Sequence, residues 1–341
     1  MVANQGVEVG TKIIFRVLIT ALIVGLLYLL RDVVLIVFLA VLTAAALSPA
    51  VMRLKRIGFS RTSAVILTYV ILFFGIIALV SSFIPLLLEE IKDFISKWPL
   101  YVERLSVIIA NVQSYLQPLG IAFDKEILFS SMEQNVRSGF SGIFSTTINF
   151  FSGVITVLGF FFLSLYLSLE ERGIEKFFLL LAPKQYHEYA LSIAERTQNK
   201  VSQWLFGQLL LMLIVFGMYF IGLSALGVPY ALAVAFFGGV MEIIPYVGPI
   251  IAVVPAVILG LLVSPMMGFL VFIFYLVAHQ LEAHIIAPQV LKRSIGLSPV
   301  VIIITILTGA KLAGPLGVLI SIPIVMILSV FVEDFLEKRQ I

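Results

Sequence analysis

The chain has 341 residues, no cysteine, 61% of its residues in the hydrophobic class and only 12% charged, with a formal net charge of +3. Soluble domains carry about 25% charge, so these numbers, with a mean hydropathy of +1.15, exclude a soluble surface, a disordered chain, a disulfide scaffold and thiolate chemistry. The pI near 9.0 reflects a small excess of Lys and Arg and no basic domain, which argues against a nucleic-acid partner. The composition is that of an all-α polytopic membrane protein, with the lipid bilayer as its solvent.

The first apolar run, 13–30, opens after Lys12 and Arg16 and has no small-residue cleavage site after it, so it reads as a retained anchor rather than a signal peptide. Runs at 33–51 and 64–85 follow. Segment 86–142 is different: Ile91, Phe94, Ile95, Trp98, Leu105, Ile108, Ile109 and Val112 recur at helical spacing with charges between them, predicting an amphipathic helix. Pro118 and Gly120 end it, and a second helix is expected over 124–138. Such a pair suits either a membrane surface or a neighbouring subunit. Further runs lie at 143–169, 203–226 and 265–281. That makes six ordinary spans, each near the ~20 residues that cross ~30 Å of hydrocarbon.

Two stretches, 227–263 and 296–332, are too long for one span and are broken midway by Pro and Gly. The dense cluster Arg53, Lys55, Arg56 and Arg61 sets the cytoplasmic side, by the excess of Lys and Arg in cytoplasmic loops. If each stretch is a hairpin that returns to its own side, fifteen of the 22 Lys and Arg fall inside and six outside, Lys311 being the remaining one. Both termini are then cytoplasmic and 86–142 is extracytoplasmic. Arms 229–244 and 249–263 are about 23 Å long at 1.5 Å per residue, which favours re-entrant hairpins over full spans.

The hairpins superpose in sequence with an offset of 69. Gly227 falls on Gly296, Glu242 on Lys311 and Gly248 on Gly317. Breaks follow each charge: Pro245, Tyr246, Gly248 and Pro249 in the first hairpin, Gly314, Pro315 and Gly317 in the second. Each hairpin follows an ordinary span, and those spans run in opposite directions, as in an inverted repeat. Broken helices free N–H and C=O groups that persist at membrane depth only when they line a cavity or hold a solute. Glu242 and Lys311 are therefore read as a substrate, ion or proton site, or alternatively as a structural salt bridge between two tips. Near the end of the last ordinary span, His279, Glu282 and His284 invite a zinc reading. At 100° per residue, however, His284 lies about 140° round from His279, so three ligands do not converge and no metal site is expected. Gln280 and Glu282 stay as candidates for lining a polar path. No GxxxxGK[ST], GxSxG or GxGxxG sequence occurs, which argues against ATP-driven transport within this chain and against an enzyme.

The stretch Ile244-Pro245-Tyr246-Val247-Gly248-Pro249-Ile250-Ile251-Ala252, with Gly296-Leu297-Ser298-Pro299, Gln280, Pro288 and the Gly314–Gly317 segment before Pro323, resembles the autoinducer-2 exporter (AI-2E) family, whose older members were called PerM-type permeases. Ser298 stands where many members carry His. The resemblance implies transport at a bacterial inner membrane, no bound cofactor and a homo-oligomer, a pentamer. Substrates attributed to the family are autoinducer-2 in some members and sodium or lithium exchanged for protons in others; some relatives are known as sporulation membrane proteins. The expected organisation is a frame over 1–85, the insert over 86–142, a fourth span and cytoplasmic linker over 143–202, and a transport core over 203–341. The expected function is export of a small polar solute. The alternatives are an Na⁺(Li⁺)/H⁺ antiporter and a structural membrane protein.

Overall fold

The computed structural model describes residues 29–116, 154–170, 182–291 and 298–337, with isolated positions among 18–26 and at 179. Most of the 13–30 run, the expected 124–138 helix with Pro118 and Gly120, the start of the 143–169 run, and the pairs Lys292/Arg293 and Lys338/Arg339 lie outside the described residues.

Every described element is helical: α1 (Arg31–Arg56), α2 (Arg61–Leu116), α3 (Val154–Leu169), α4 (His187–Ala225), α5 (Ala231–Met241), α6 (Val247–Val263), α7 (Pro265–Leu281), a π-turn (Glu282–Ile286), α8 (Ala287–Leu291) and α9 (Pro299–Glu337). Among the described residues, five helices are long and apolar enough to cross a membrane. The chain is a multi-pass membrane protein.

Three boundaries differ from those expected. Residues 64–85 and the amphipathic stretch form one continuous helix, α2, which carries Pro85 and Pro99 in its interior. The 203–226 run is the second half of α4, a 39-residue helix whose first half bears Arg196 and Lys200. The second hairpin has unequal arms, because its returning part, Gly317–Asp334, is itself long and apolar enough to span.

Local chemistry places the breaks. Gly227, at φ +72°, ends α4 in the left-handed conformation that a side chain would resist. Between α6 and α7, extended Ser264 accepts a hydrogen bond from Met267 N at 3.1 Å, with Pro265 in the first turn. A serine cap followed by proline is a strong helix start, so two apolar helices turn back on each other without a loop.

Two packed regions result. In the first, Val51 of α1 and Ala64, Val65 and Tyr69 of α2 are buried against Phe161 and Leu165 of α3. Tyr69 OH lies 2.5 Å from Ser164 Oγ and 2.9 Å from Ser168 Oγ, and Arg61 donates to the Ser168 and Glu170 carbonyls at the end of α3. Tyr69→Phe is expected to cost about 1–2 kcal/mol, because it removes this linkage without changing volume. Thermal denaturation in detergent reads it, and an unchanged midpoint would refute the assignment.

In the second region α4, α5, α6 and α7 surround a core of Leu211, Val215, Tyr219, Ala235, Ala252, Ala256 and Val271. Small residues let the helices approach: a Cβ on Gly239 would sit 3.0 Å from the Met212 carbonyl oxygen, and one on Gly260 would sit 3.0 Å from Gly268 Cα. The insert helix joins this core, since Tyr101 and Leu105 of α2 are buried in it with Phe94 packed alongside. Its apolar stripe thus covers the first hairpin of its own chain, which sequence alone had left open between membrane and neighbour.

Candidate functional site

Both Pro/Gly stretches fold back on themselves. In the first, α5 runs to Met241, residues 242–246 form a non-helical tip, and α6 returns from Val247. Tyr246 sits at φ +66°. Two residues on, Gly248 is buried, and a Cβ there would collide with the Met241 carbonyl. In the second, α9 is interrupted at Ala313 and Gly314, the latter at φ +59°. Gly317 is buried, and a Cβ there would collide with the Gly309 carbonyl. Ile302 and Ile306 pack with Ile322 and Met326 across this turn, and Ile244 from the first tip joins the same cluster. The first tip therefore reaches, through Ile244, the cluster between the arms of the second hairpin.

These contacts refine the alignment of the hairpins. In each, the glycine after the tip packs on a carbonyl five residues before the positive-φ residue: Met241 before Tyr246, and Gly309 before Gly314. Up to the turn the equivalent offset is 68, not 69, so Lys311 falls on Ile243 and Glu242 on Ala310.

The surroundings of the two charges agree with this shift. Lys311 is exposed and makes no ion pair among the described residues. Glu242 is 2% exposed and lies against Glu282, itself 5% exposed. Depth explains the meeting. Counted from the open end of the hairpin, Val247 is 16 residues below Val263, Glu282 is 17 below Pro265, and Gln208 is 17 below Ala225. At 1.5 Å per residue all three lie about 25 Å down. Gln208 Nε2 donates to the Glu242 carbonyl at 2.6 Å and fixes the tip to α4. The π-turn that begins at Glu282 is an irregularity frequently found at functional sites. His279 Nδ1 is 3.5 Å from Glu282 Oε2, as their shared face predicts, while His284 turns away to the Gln280 carbonyl.

Around the pair, polar atoms lack partners among the described residues. Glu242 Oε2, Gln208 Oε1, Tyr219 OH and Tyr275 OH are buried without a hydrogen bond. The Tyr219 and Tyr275 rings are 4.4 Å apart, and Tyr219 is within electrostatic reach of both carboxyls. Buried polar atoms are nearly always satisfied, so such a concentration marks a place for a proton, water, ion or solute. Two ionised carboxylates in contact away from water need a proton or a cation between them.

Of the remaining candidates, Gly248 and Pro249 are buried, Pro245 is half-buried, and Tyr246 is 45% exposed. Gly314 and Gly317 form the second turn together with Pro315. Gln280 is exposed and does not join Glu282. Gln208, Tyr219 and Tyr275 were not foreseen. Their signal was present: Gln208, Leu211, Val215 and Tyr219 form one buried stripe at helical spacing, with a lone amide in an otherwise apolar run. Below the site, Lys200 bonds Glu333 at 2.8 Å and Ser329 at 2.9 Å, tying α4 to the long arm of the second hairpin.

Comparison with known proteins finds relatives over most of the chain. YrrI of Bacillus subtilis is 27% identical over 83% of this chain and 80% of its own length. YueF of the same organism is 25% identical over 82% of this chain and 78% of its own. YhhT of Escherichia coli K12 is 25% identical over 98% and 93%. All three are named as transport proteins. The family described as "AI-2E family transporter" matches residues 17–337, nearly the whole chain, and this multi-pass membrane transporter belongs to it.

Proposed function

We propose that the chain is a proton-coupled secondary transporter that exports a small polar solute, of the class of the autoinducer-2 signalling molecule, from a bacterial cytoplasm. The observation that carries this reading is the meeting of Glu242 and Glu282, buried and from separate elements, at the tip of a broken hairpin among unpartnered oxygens. Intramembrane carboxyls of this kind are expensive and mark proton or substrate paths. In this reading the hairpins are re-entrant, related as inverted repeats, and form the moving core. The loosened backbone at Pro245–Pro249 and Gly314–Gly317 lines the path, with Lys311 near its second wall. The helices before the core form the frame of a homo-oligomer in the inner membrane, with both termini cytoplasmic. No cofactor is required.

The test uses proteoliposomes loaded with a pH dye. A pulse of autoinducer-2 is expected to move protons, and a solute pulse that moves none, with sodium and lithium equally silent, rejects the coupling. A second reading is Na⁺(Li⁺)/H⁺ exchange. It is favoured by the oxygens gathered at the pair, the two carboxyls with Gln208 Oε1, Tyr219 OH and Tyr275 OH, a donor set that suits a hard cation. Proton movement on a sodium or lithium pulse, without response to autoinducer-2, selects it.

A further inference from the structure

The open end of the first hairpin is held by a helix that is not part of it. Residues 86–107 of α2 cross both arms there. Ala233, in the first turn of α5, donates its N–H to Glu90 Oε2 at 2.8 Å. Arg104 donates to the Leu262 carbonyl in the last turn of α6 at 3.3 Å. The carboxylate thus sits at the positive end of the descending arm and the guanidinium at the negative end of the returning arm, which are the stabilising pairings with helix dipoles. Tyr230 makes no side-chain cap at the start of α5, so Glu90 of α2 supplies it. The last turn of α6 is closed by the Ser264 N–H on the Gly260 carbonyl, and Arg104 adds its bond there.

Between the two caps is a third bond. Tyr230, the residue before α5, has φ +58°, a conformation that costs an L-residue about 1–2 kcal/mol. Its OH donates to Asp93 Oδ2 at 2.9 Å and meets Tyr101 OH at 2.8 Å. Lys97 Nζ lies 2.7 Å from the same Asp93 Oδ2, so the oxygen that accepts from Tyr230 is also ion-paired. Strained residues persist where neighbours over-determine them. Glu90, Asp93, Tyr101 and Arg104 fall within about 80° of arc on one helix face, beside a groove of about 840 Å³ lined by Asp93, Lys97, Tyr101 and Tyr230.

We infer that residues 86–107 of α2 are a releasable clamp on the first hairpin: while Glu90, Asp93 and Arg104 hold its open end, the Glu242 tip is held still, and their release frees both arms to move together. The inference rests on the hairpin being the moving part proposed above. Its test is therefore read without any substrate, so that failure of the clamp and failure of proton coupling are separate results.

Amide hydrogen exchange of the full chain in nanodiscs provides that test. In Glu90→Ala/Arg104→Ala, exchange is expected to rise about tenfold at 231–236 and 258–263 and also at the tip, 243–248, as for a unit that opens together. Faster exchange confined to the two capped turns, with the tip unchanged, overturns the inference, because the contacts are then ordinary caps. A second form guards against misfolding of that variant. The chain has no cysteine, so Asp93→Cys/Tyr230→Cys presents a unique pair. Bridged by a short bifunctional maleimide, the tip should exchange about tenfold more slowly than in the same protein with each thiol blocked separately. Equal exchange in the two forms overturns the clamp.

Discussion

Replacing Glu242 with Gln is expected to slow solute-driven proton movement by at least about 100-fold while leaving the protein folded. An amide keeps the shape and the hydrogen-bonding capacity of the carboxyl but neither releases a proton nor carries charge. At a buried site that difference is the whole mechanism, since a carrier that cannot exchange its proton cannot couple. Glu282→Gln should give the same loss, because the pair, and not either member, presents the exchangeable proton. The double variant should then be no worse than either single one, the non-additivity expected of groups acting as a unit. Lys311→Met, by contrast, should change the rate by less than about twofold, as Lys311 is exposed and outside the pair. The same dye-loaded proteoliposomes read all four proteins, with thermal denaturation as the control for folding. If Glu242→Gln combined with Lys311→Met retained full function, the transport reading of the site would fall and a structural role would replace it.

The sequence shows why one half of this pair was legible and the other was not. A carboxylate three residues before Pro245 and six before Gly248 advertises itself, because Pro and Gly break the helix and the break frees backbone groups in lipid. Reading Lys311 as its counterpart followed from aligning glycines. The turns differ by one residue, with Tyr246 two positions before Gly248 and Gly314 three before Gly317. One residue of slip was enough to replace Ala310 by Lys311. The sequence places Glu282 on a polar path without pointing to its partner. Its depth was nonetheless computable: α6 and α7 fold back about Ser264, so residues equally far from that serine lie side by side, and Tyr246 and Glu282 are each 18 away. What no local pattern announces is the π-turn, whose extra residue changes the helical phase from Glu282 onward. The insert helix illustrates a different limit. Its amphipathic stripe was plain, yet a stripe shows only that something covers it. Here that cover is the first hairpin of the same chain, through Phe94, Tyr101 and Leu105.

The largest effects on folding are expected at the two glycines that close the hairpins. Gly248→Ala puts a methyl group into the Met241 carbonyl, and Gly317→Ala puts one into the Gly309 carbonyl. Backbone cannot swing aside as the end of a flexible side chain does, so each arm must separate or the turn must unwind, at a cost of about 3 kcal/mol or more. Gly314→Ala tests a different mechanism. It has open space around it but a φ of +59°, so its cost should be the smaller conformational one, about 1–2 kcal/mol. Gly75, with no atom within 4 Å of a Cβ, lies in the middle of α2, and Gly75→Ala should stabilise by about 0.5–1 kcal/mol. Thermal denaturation in detergent should therefore order the melting points as Gly75→Ala above the parent protein, then Gly314→Ala, then Gly248→Ala and Gly317→Ala together at the bottom. The equality of the last two carries the argument. If the hairpins are equivalent units closed by the same device, a methyl group at either glycine meets the same obstacle. A Gly317→Ala protein as stable as Gly314→Ala would mean that only the first turn is closed in this way, and that the likeness between the hairpins ends with their proline and glycine content.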